Sequence, residues 1–156
     1  IGRRVANVAA AFGCKVVYYS TSGNNHTTDF EEVLKEELLA KSDIISIHSP
    51  LNDQTKNLIG LQELHAMKST AYIVNVGRGG IIQESALAQA LKNNYLAGAC
   101  IDVMEKEPLP LESPLLDAEI QDKLIITPHV AWVSDNALAD LLKLTYQNVE
   151  TFINQH

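Results

Sequence analysis

Basic charge, cysteine and long apolar runs are all scarce in this 156-residue chain, and each scarcity removes a class of function. Lys and Arg number 12 against 19 Asp and Glu, a formal charge of -7, and the cations are scattered without interleaved aromatics. Such a surface offers no basic patch for phosphates, so nucleic acid is not an expected partner. The longest apolar stretches, such as residues 44–47 and 97–101, fall far short of the roughly 20 residues that span a bilayer. No signal-peptide pattern opens the sequence, and a cytoplasmic protein without membrane partners is the expectation. Cys14 and Cys100 stand singly inside strand-like runs, with no CxxC or Cys/His cluster. Buried, reduced thiols are expected there, and no metal is implied. Internal repeats and low-complexity tracts are also missing.

What remains, 46% apolar and 20% charged, is the composition of an ordinary globular domain. Helical and extended patterns alternate along it, the signature of a parallel sheet covered by helices, and a doubly wound α/β sheet is expected. Val5, Val8, Ala9 and Phe12 recur at helical spacing and end at Gly13, after which residues 14–19 read as a buried strand. A polar loop covers residues 20–28, and Phe30, Val33, Leu34, Leu38 and Leu39 mark an amphipathic helix. Strands are expected at 43–48, 71–76, 97–103 and 124–127, with helices at 61–67 and 85–92 between them. Pro108, Pro110 and Pro114 place a loop before the last strand. From about Ser134 to Ile153 one long helix follows, with Leu138, Leu141, Leu142, Thr145, Val149 and Phe152 along one face. That face suits a partner domain, a second subunit or the helix's own sheet. Residues 1–132 are expected to form the sheet domain and 133–156 a helix leading toward another domain.

Three side chains follow successive strand-like runs. Arg78 lies in Val74-Asn75-Val76-Gly77-Arg78-Gly79-Gly80, Glu107 in the segment from Asp102 to Pro108, and His129 in Thr127-Pro128-His129. In an open α/β sheet, ligands bind outside the carboxyl ends of the strands, so residues distant in sequence converge there. An arginine fork holds a carboxylate, a histidine exchanges a proton near neutral pH, and a neighbouring carboxylate holds an imidazole in one tautomer. Together they suit reduction of a 2-oxo acid. Glu105 competes with Glu107, being two residues away.

These motifs, with Ile81-Ile82, the run from Ala97 to Val103 and Val130-Ala131-Trp132, resemble the D-isomer-specific 2-hydroxyacid dehydrogenase family over nearly the whole chain. The resemblance implies NAD or NADP as cofactor, Arg78 as the binder of substrate carboxylate and carbonyl, His129 as proton donor, Glu107 as its partner and Asp102 beside the nicotinamide. Val76 and Gly77 join the implied cofactor set. Gly2 matches the last glycine of a G-x-G-x-x-G turn, and Ser20 falls where an acidic residue usually bonds the ribose. Without that carboxylate, NADPH is expected to compete with NADH, helped by the hydroxyls of Ser20, Thr21 and Ser22. Pro50, closing the strand that ends at His48, is expected near the adenosine, where a plain strand-ending turn is the other reading.

The chain enters a helix at Gly2 with no strand before it, so a longer parent chain with the central strand upstream is expected. Trp132 and Ser20 make the sequence look closest to the glycerate dehydrogenase or hydroxypyruvate reductase branch, with a small polar 2-oxo acid such as hydroxypyruvate or glyoxylate as substrate. A homodimer is implied as well. The competing class is a cofactor-sensing interaction module of corepressor type that keeps the fold without turnover.

Overall fold

The computed structural model describes residues 1–24 and 29–155. In chain order the elements are α1 (Gly2–Ala11), β1 (Val17–Tyr18), β2 (Glu31–Glu32), α2 (Lys35–Lys41), β3 (Ile44–Ile47), α3 (Leu61–Ala66), β4 (Tyr72–Asn75), α4 (Glu84–Lys92), β5 (Gly98–Ile101), β6 (Leu124–Ile126) and α5 (Asp135–Gln155). Two single 3₁₀ turns, Pro114–Leu116 and Ala118–Ile120, lie between β5 and β6. Strands β3-β4-β5-β6 form one parallel sheet in sequence order, and β1-β2 a separate parallel pair. Among the described residues no ladder joins the pair β1-β2 to the four-stranded sheet, and β3 pairs directly with β4.

Alternation explains which side of the larger sheet is covered. Ile45, Ile73, Ala99 and Leu124 stand side by side in register and are buried, as are Ile47, Asn75 and Ile101 one step further along. Helix α4 presents Ala86, Leu87, Ala90 and Leu91 to this core, and α3 adds Leu64. Their spacing is that of one helical face. The opposite face of the sheet leaves Ile44, Tyr72 and Ile125 exposed.

Three expectations need correction. Residues 14–19 are not a buried strand: only Val17–Tyr18 pair, and Cys14 is exposed. The Gly13 N–H bonds the Ala10 carbonyl and the Cys14 N–H bonds the Ala9 carbonyl, so Cys14 belongs to the turn that closes α1. The helix expected from Phe30 starts five residues later, at Lys35. Glu31 and Glu32 instead pair with Val17 and Tyr18, because β1 draws its ladder bonds from them, and Tyr18 donates to Glu32 at 3.3 Å. The polar loop at 20–28 is described only through Asn24; the rest lies outside the described residues. Cys100, half-buried, sits in β5 as expected.

Helix α5 leaves the sheet. None of its residues is buried, and Leu141, Leu142, Tyr146, Val149 and Phe152 are all at least half exposed. Among the described residues no helix is long and apolar enough to cross a membrane.

Candidate active site at the strand ends

The loops after β3, β4, β5 and β6 meet at one end of the parallel sheet, and close contacts tie each to the next. Gly2, opening α1, lies against the end of β3: a Cβ there would stand 3.0 Å from the Cβ of His48. A side chain there would require the His48 side chain to give way by a few tenths of an ångström. Burial holds the His48 imidazole below its ordinary pKa, and its Nε2 is 2.9 Å from the Ser46 hydroxyl. Pro50 follows, its carbonyl accepting the Thr55 hydroxyl at 2.6 Å in a turn whose Thr55 is fully buried.

After β4, buried Asn75 organises the next turn. Its Oδ1 accepts the Gly77 N–H at 3.1 Å and its Nδ2 donates to the Arg78 carbonyl at 2.9 Å. Val76 is left 39% exposed, and Gly77 packs toward the Ile47 carbonyl, 3.4 Å from where its Cβ would be. Arg78 projects outward with Nη1 donating to the Gly77 carbonyl at 2.8 Å. Gly79 is the point of contact with the β5 loop. A Cβ on Gly79 would overlap the Met104 carbonyl and stand 2.7 Å from the Glu105 nitrogen. Backbone of the arginine loop therefore lies directly on backbone of the Glu107 loop.

The β5 and β6 ends are joined by Asp102, which is 2% exposed. Its Oδ1 accepts the Thr127 hydroxyl at 2.5 Å and the Val130 N–H at 2.9 Å, and its Oδ2 accepts the Ala131 N–H at 2.9 Å. Burial pushes this carboxyl up, but the bonds from Thr127, Ala131 and Val130, with His129 nearby, outweigh it and hold the pKa below the ordinary value. The segment so clamped carries His129, whose φ of 55° is left-handed. The other positive φ angles on non-glycine residues among the described residues belong to asparagines, Asn57 and Asn94. Such a backbone persists only where its surroundings enforce it. Asp102 grips Val130 and Ala131, the His129 N–H bonds the Thr127 carbonyl at 3.0 Å, and the Trp132 indole N–H donates to the His129 carbonyl at 3.0 Å.

His129 Nδ1 then lies 2.8 Å from Glu107 Oε2, and Glu107 Oε1 accepts the Met104 N–H at 3.0 Å. The bond to His129 and the Met104 N–H hold the Glu107 carboxyl below its ordinary pKa. Glu105, the competing carboxylate, offers its backbone N–H to Glu84 instead. An open cavity of about 330 Å³ adjoins the pair, lined by Met104, Pro108, Leu109, Ile126 and Pro128 with Glu107 and His129.

Glu107, His129 and Asp102 are thus brought together, and Arg78 is joined to them through Gly79 rather than by a direct bond among the described residues. Ser20 ends β1 apart from these contacts; its hydroxyl lies 3.5 Å from both the Ser22 hydroxyl and the Asn24 carbonyl. Several contributors had no role in the sequence reading: Asn75, Gly79, Glu84, Thr127 and the indole N–H of Trp132. A polar residue inside an apolar strand run marks Asn75, and a glycine beyond what one turn needs marks Gly79; Glu84 leaves no local signal.

Comparison with known proteins identifies the family of the domain that carries these loops. The profile of the D-isomer specific 2-hydroxyacid dehydrogenase NAD binding domain matches residues 1–131. A Haemophilus influenzae protein named as a 2-hydroxyacid dehydrogenase is 43% identical over 99% of this chain and 49% of its own length. A glycerate dehydrogenase of Methylorubrum extorquens is 39% identical over 98% of this chain and 47% of its own. An acyclic imino acid reductase, solved in complex with NADPH and D-arginine, superposes with a TM-score of 0.85 at 33% identity, covering 99% of this chain and 48% of that one. The chain spans about half the length of the curated relatives it matches. With a parallel α/β sheet and this profile match over most of its length, the chain belongs to the NAD-binding domain of the D-isomer specific 2-hydroxyacid dehydrogenase family.

Proposed function

We propose that the parent protein of this chain transfers a hydride between a nicotinamide cofactor and the carbonyl of a small 2-oxo acid, giving a D-2-hydroxy acid. The observation that carries the reading is the 2.8 Å contact between His129 Nδ1 and Glu107 Oε2 at the ends of β5 and β6. An ionised Glu107, kept so by His129 and the Met104 N–H, fixes the imidazole proton on Nδ1. Nε2 is then the atom that gives or takes the reacting proton.

Arg78 holds the substrate carboxylate and polarises its carbonyl, a role its outward-facing fork suits. Reduction leaves charge on the carbonyl oxygen; protonated His129 delivers a proton to it from Nε2, and in oxidation the neutral ring removes that proton. When bound, the reduced nicotinamide supplies the hydride to the carbonyl carbon.

The chain's residues fit such a cofactor. The first turn of α1 has no acidic residue and no side-chain cap, and Gly2 keeps it bare, which suits a pyrophosphate. Ser20 would hold the ribose and Pro50 would lie by the adenosine, with Val76, Gly77 and Asp102 on the nicotinamide side. Hydroxyls of Ser20 and Ser22 in place of a carboxylate favour use of both NADH and NADPH. The glycerate dehydrogenase among the relatives supports hydroxypyruvate, the 2-oxo acid of glycerate, and relatives named glyoxylate reductase support glyoxylate. The uncovered apolar side of α5 supports packing on the substrate-facing domain or a second copy, in a homodimer.

Loss of the reduced-nicotinamide absorbance band when full-length protein meets hydroxypyruvate, glyoxylate or pyruvate tests this. Cofactor binding without turnover of any of them would overturn it in favour of a sensing module.

A further inference from the structure

We propose that Glu84 is a positioning residue for the Glu107–His129 pair, acting through the Met104–Glu105 peptide. The inference rests on the reading of Arg78, Glu107 and His129 as hydride-transfer machinery and adds a residue to it.

Glu84 opens α4, the helix that follows the arginine loop, and its Oε1 accepts the Glu105 N–H at 2.6 Å across 21 residues of sequence. The preceding N–H, of Met104, donates to Glu107 Oε1 at 3.0 Å, and the other oxygen of that carboxylate meets His129 Nδ1 at 2.8 Å. A carboxylate is planar and rigid, so anchoring one oxygen sets the direction of the other. Where the Met104–Glu105 backbone lies therefore decides how Glu107 meets the imidazole. From a third side that backbone rests on Gly79, next to Arg78.

The exposure of the loop makes these anchors matter. Met104 before it is buried and Leu109 after it packs against the core, but Glu105, Lys106, Glu107 and Pro108 between them are all exposed, so the core restrains the loop only at its ends. Removal of the Glu84 bond leaves the Glu105 N–H to water and the loop free to shift by tenths of an ångström, and hydride-transfer geometry is sensitive on that scale.

The alternative role is plain helix stabilisation, since an acidic group in the first turn favours the helix dipole and α4 has no side-chain cap of its own. Two conservative variants separate the roles. Glu84→Asp keeps the charge and loses the reach; Glu84→Gln keeps the reach and an accepting oxygen but loses the charge. In the full-length protein with reduced cofactor and hydroxypyruvate, positioning gives a kcat lowered about tenfold in Glu84→Asp and about twofold or less in Glu84→Gln, with cofactor affinity unchanged in both. In a Glu107→Gln background Glu84→Asp should add little, because the group it positions is already lost. Wild-type kcat in Glu84→Asp, a Glu84→Gln defect as large as that of Glu84→Asp, or full additivity with Glu107→Gln would overturn the proposal.

If the wild-type protein turned over no 2-oxo acid, the functional reading would fail separately, and Glu84 would be judged by the His129 Nδ1 proton resonance. An upfield move in Glu84→Asp, absent in Glu84→Gln, supports positioning; an unmoved resonance in Glu84→Asp refutes it.

Discussion

Replacing Asp102 by asparagine changes one atom and should damage the site far more than that suggests. Both carboxylate oxygens are acceptors, Oδ1 for the Thr127 hydroxyl and the Val130 N–H, Oδ2 for the Ala131 N–H, and the residue is 2% exposed. An amide presents one oxygen and one NH2, so whichever way it turns, one donor from the β6 loop faces another donor. A lost hydrogen bond to a charged group is worth about 1.5–3 kcal/mol, and the part-buried donor left facing a donor adds the low end of the roughly 1–3 kcal/mol that a buried one costs, so a net loss near 3 kcal/mol is expected. At about 2–4 °C per kcal/mol for a domain of this size, Tm should fall by roughly 6–12 °C.

The pH dependence adds a second check. Asp102 has a folded-state pKa below its unfolded value, so its contribution is full above the unfolded value and is lost as pH falls through the folded one. The gap between wild type and Asp102→Asn in a thermal-shift series should therefore be constant near neutral pH and narrow below about pH 4. A variant melting within about 1 °C of wild type at neutral pH, or a gap that widens on acidification, would refute the clamp.

Other outcomes follow from the same contacts. Gly79→Ala forces a methyl into the Met104 carbonyl, so the two loops must part; activity should drop about tenfold or more while the sheet melts within a few degrees of wild type, and undiminished turnover would contradict the close approach. Arg78→Lys loses the bidentate fork and should lower kcat/KM by about 10- to 100-fold, an effect absent from cofactor binding measured alone. Catalytic efficiency with NADPH should at least match that with NADH; a strong preference for NADH would show that Ser20 does not govern the choice.

The larger elements were legible because their cause is local. Apolar runs at 44–47, 72–75 and 98–101 and the Ala/Leu face of α4 are patterns a sequence displays directly. The dipeptide Glu31–Glu32 was not legible as a strand, since two charged residues carry no strand signal and pair only because β1 lies beside them. The helix face of Phe30, Val33 and Leu34 was misread for the same reason. At the site, Arg78, Glu107 and His129 stood out by residue type at strand ends. Residue type and position alone left Glu105 and Glu107 open, since both carboxylates lie on one loop; the family resemblance favoured Glu107, and it is Glu107 that meets the imidazole. Asp102 was picked out as a cofactor contact, whereas its structural work, gripping the β6 loop that bends His129 into a left-handed conformation, depends on residues about 25 to 29 positions away.

The central claim is that His129, aligned by Glu107, moves the proton that accompanies hydride transfer. Its most direct test is steady-state reduction of hydroxypyruvate by the full-length protein against its His129→Ala variant, with cofactor affinity measured in parallel. The account predicts turnover lower by about 10²- to 10⁴-fold with cofactor binding intact. Equal rates in the two proteins would contradict it.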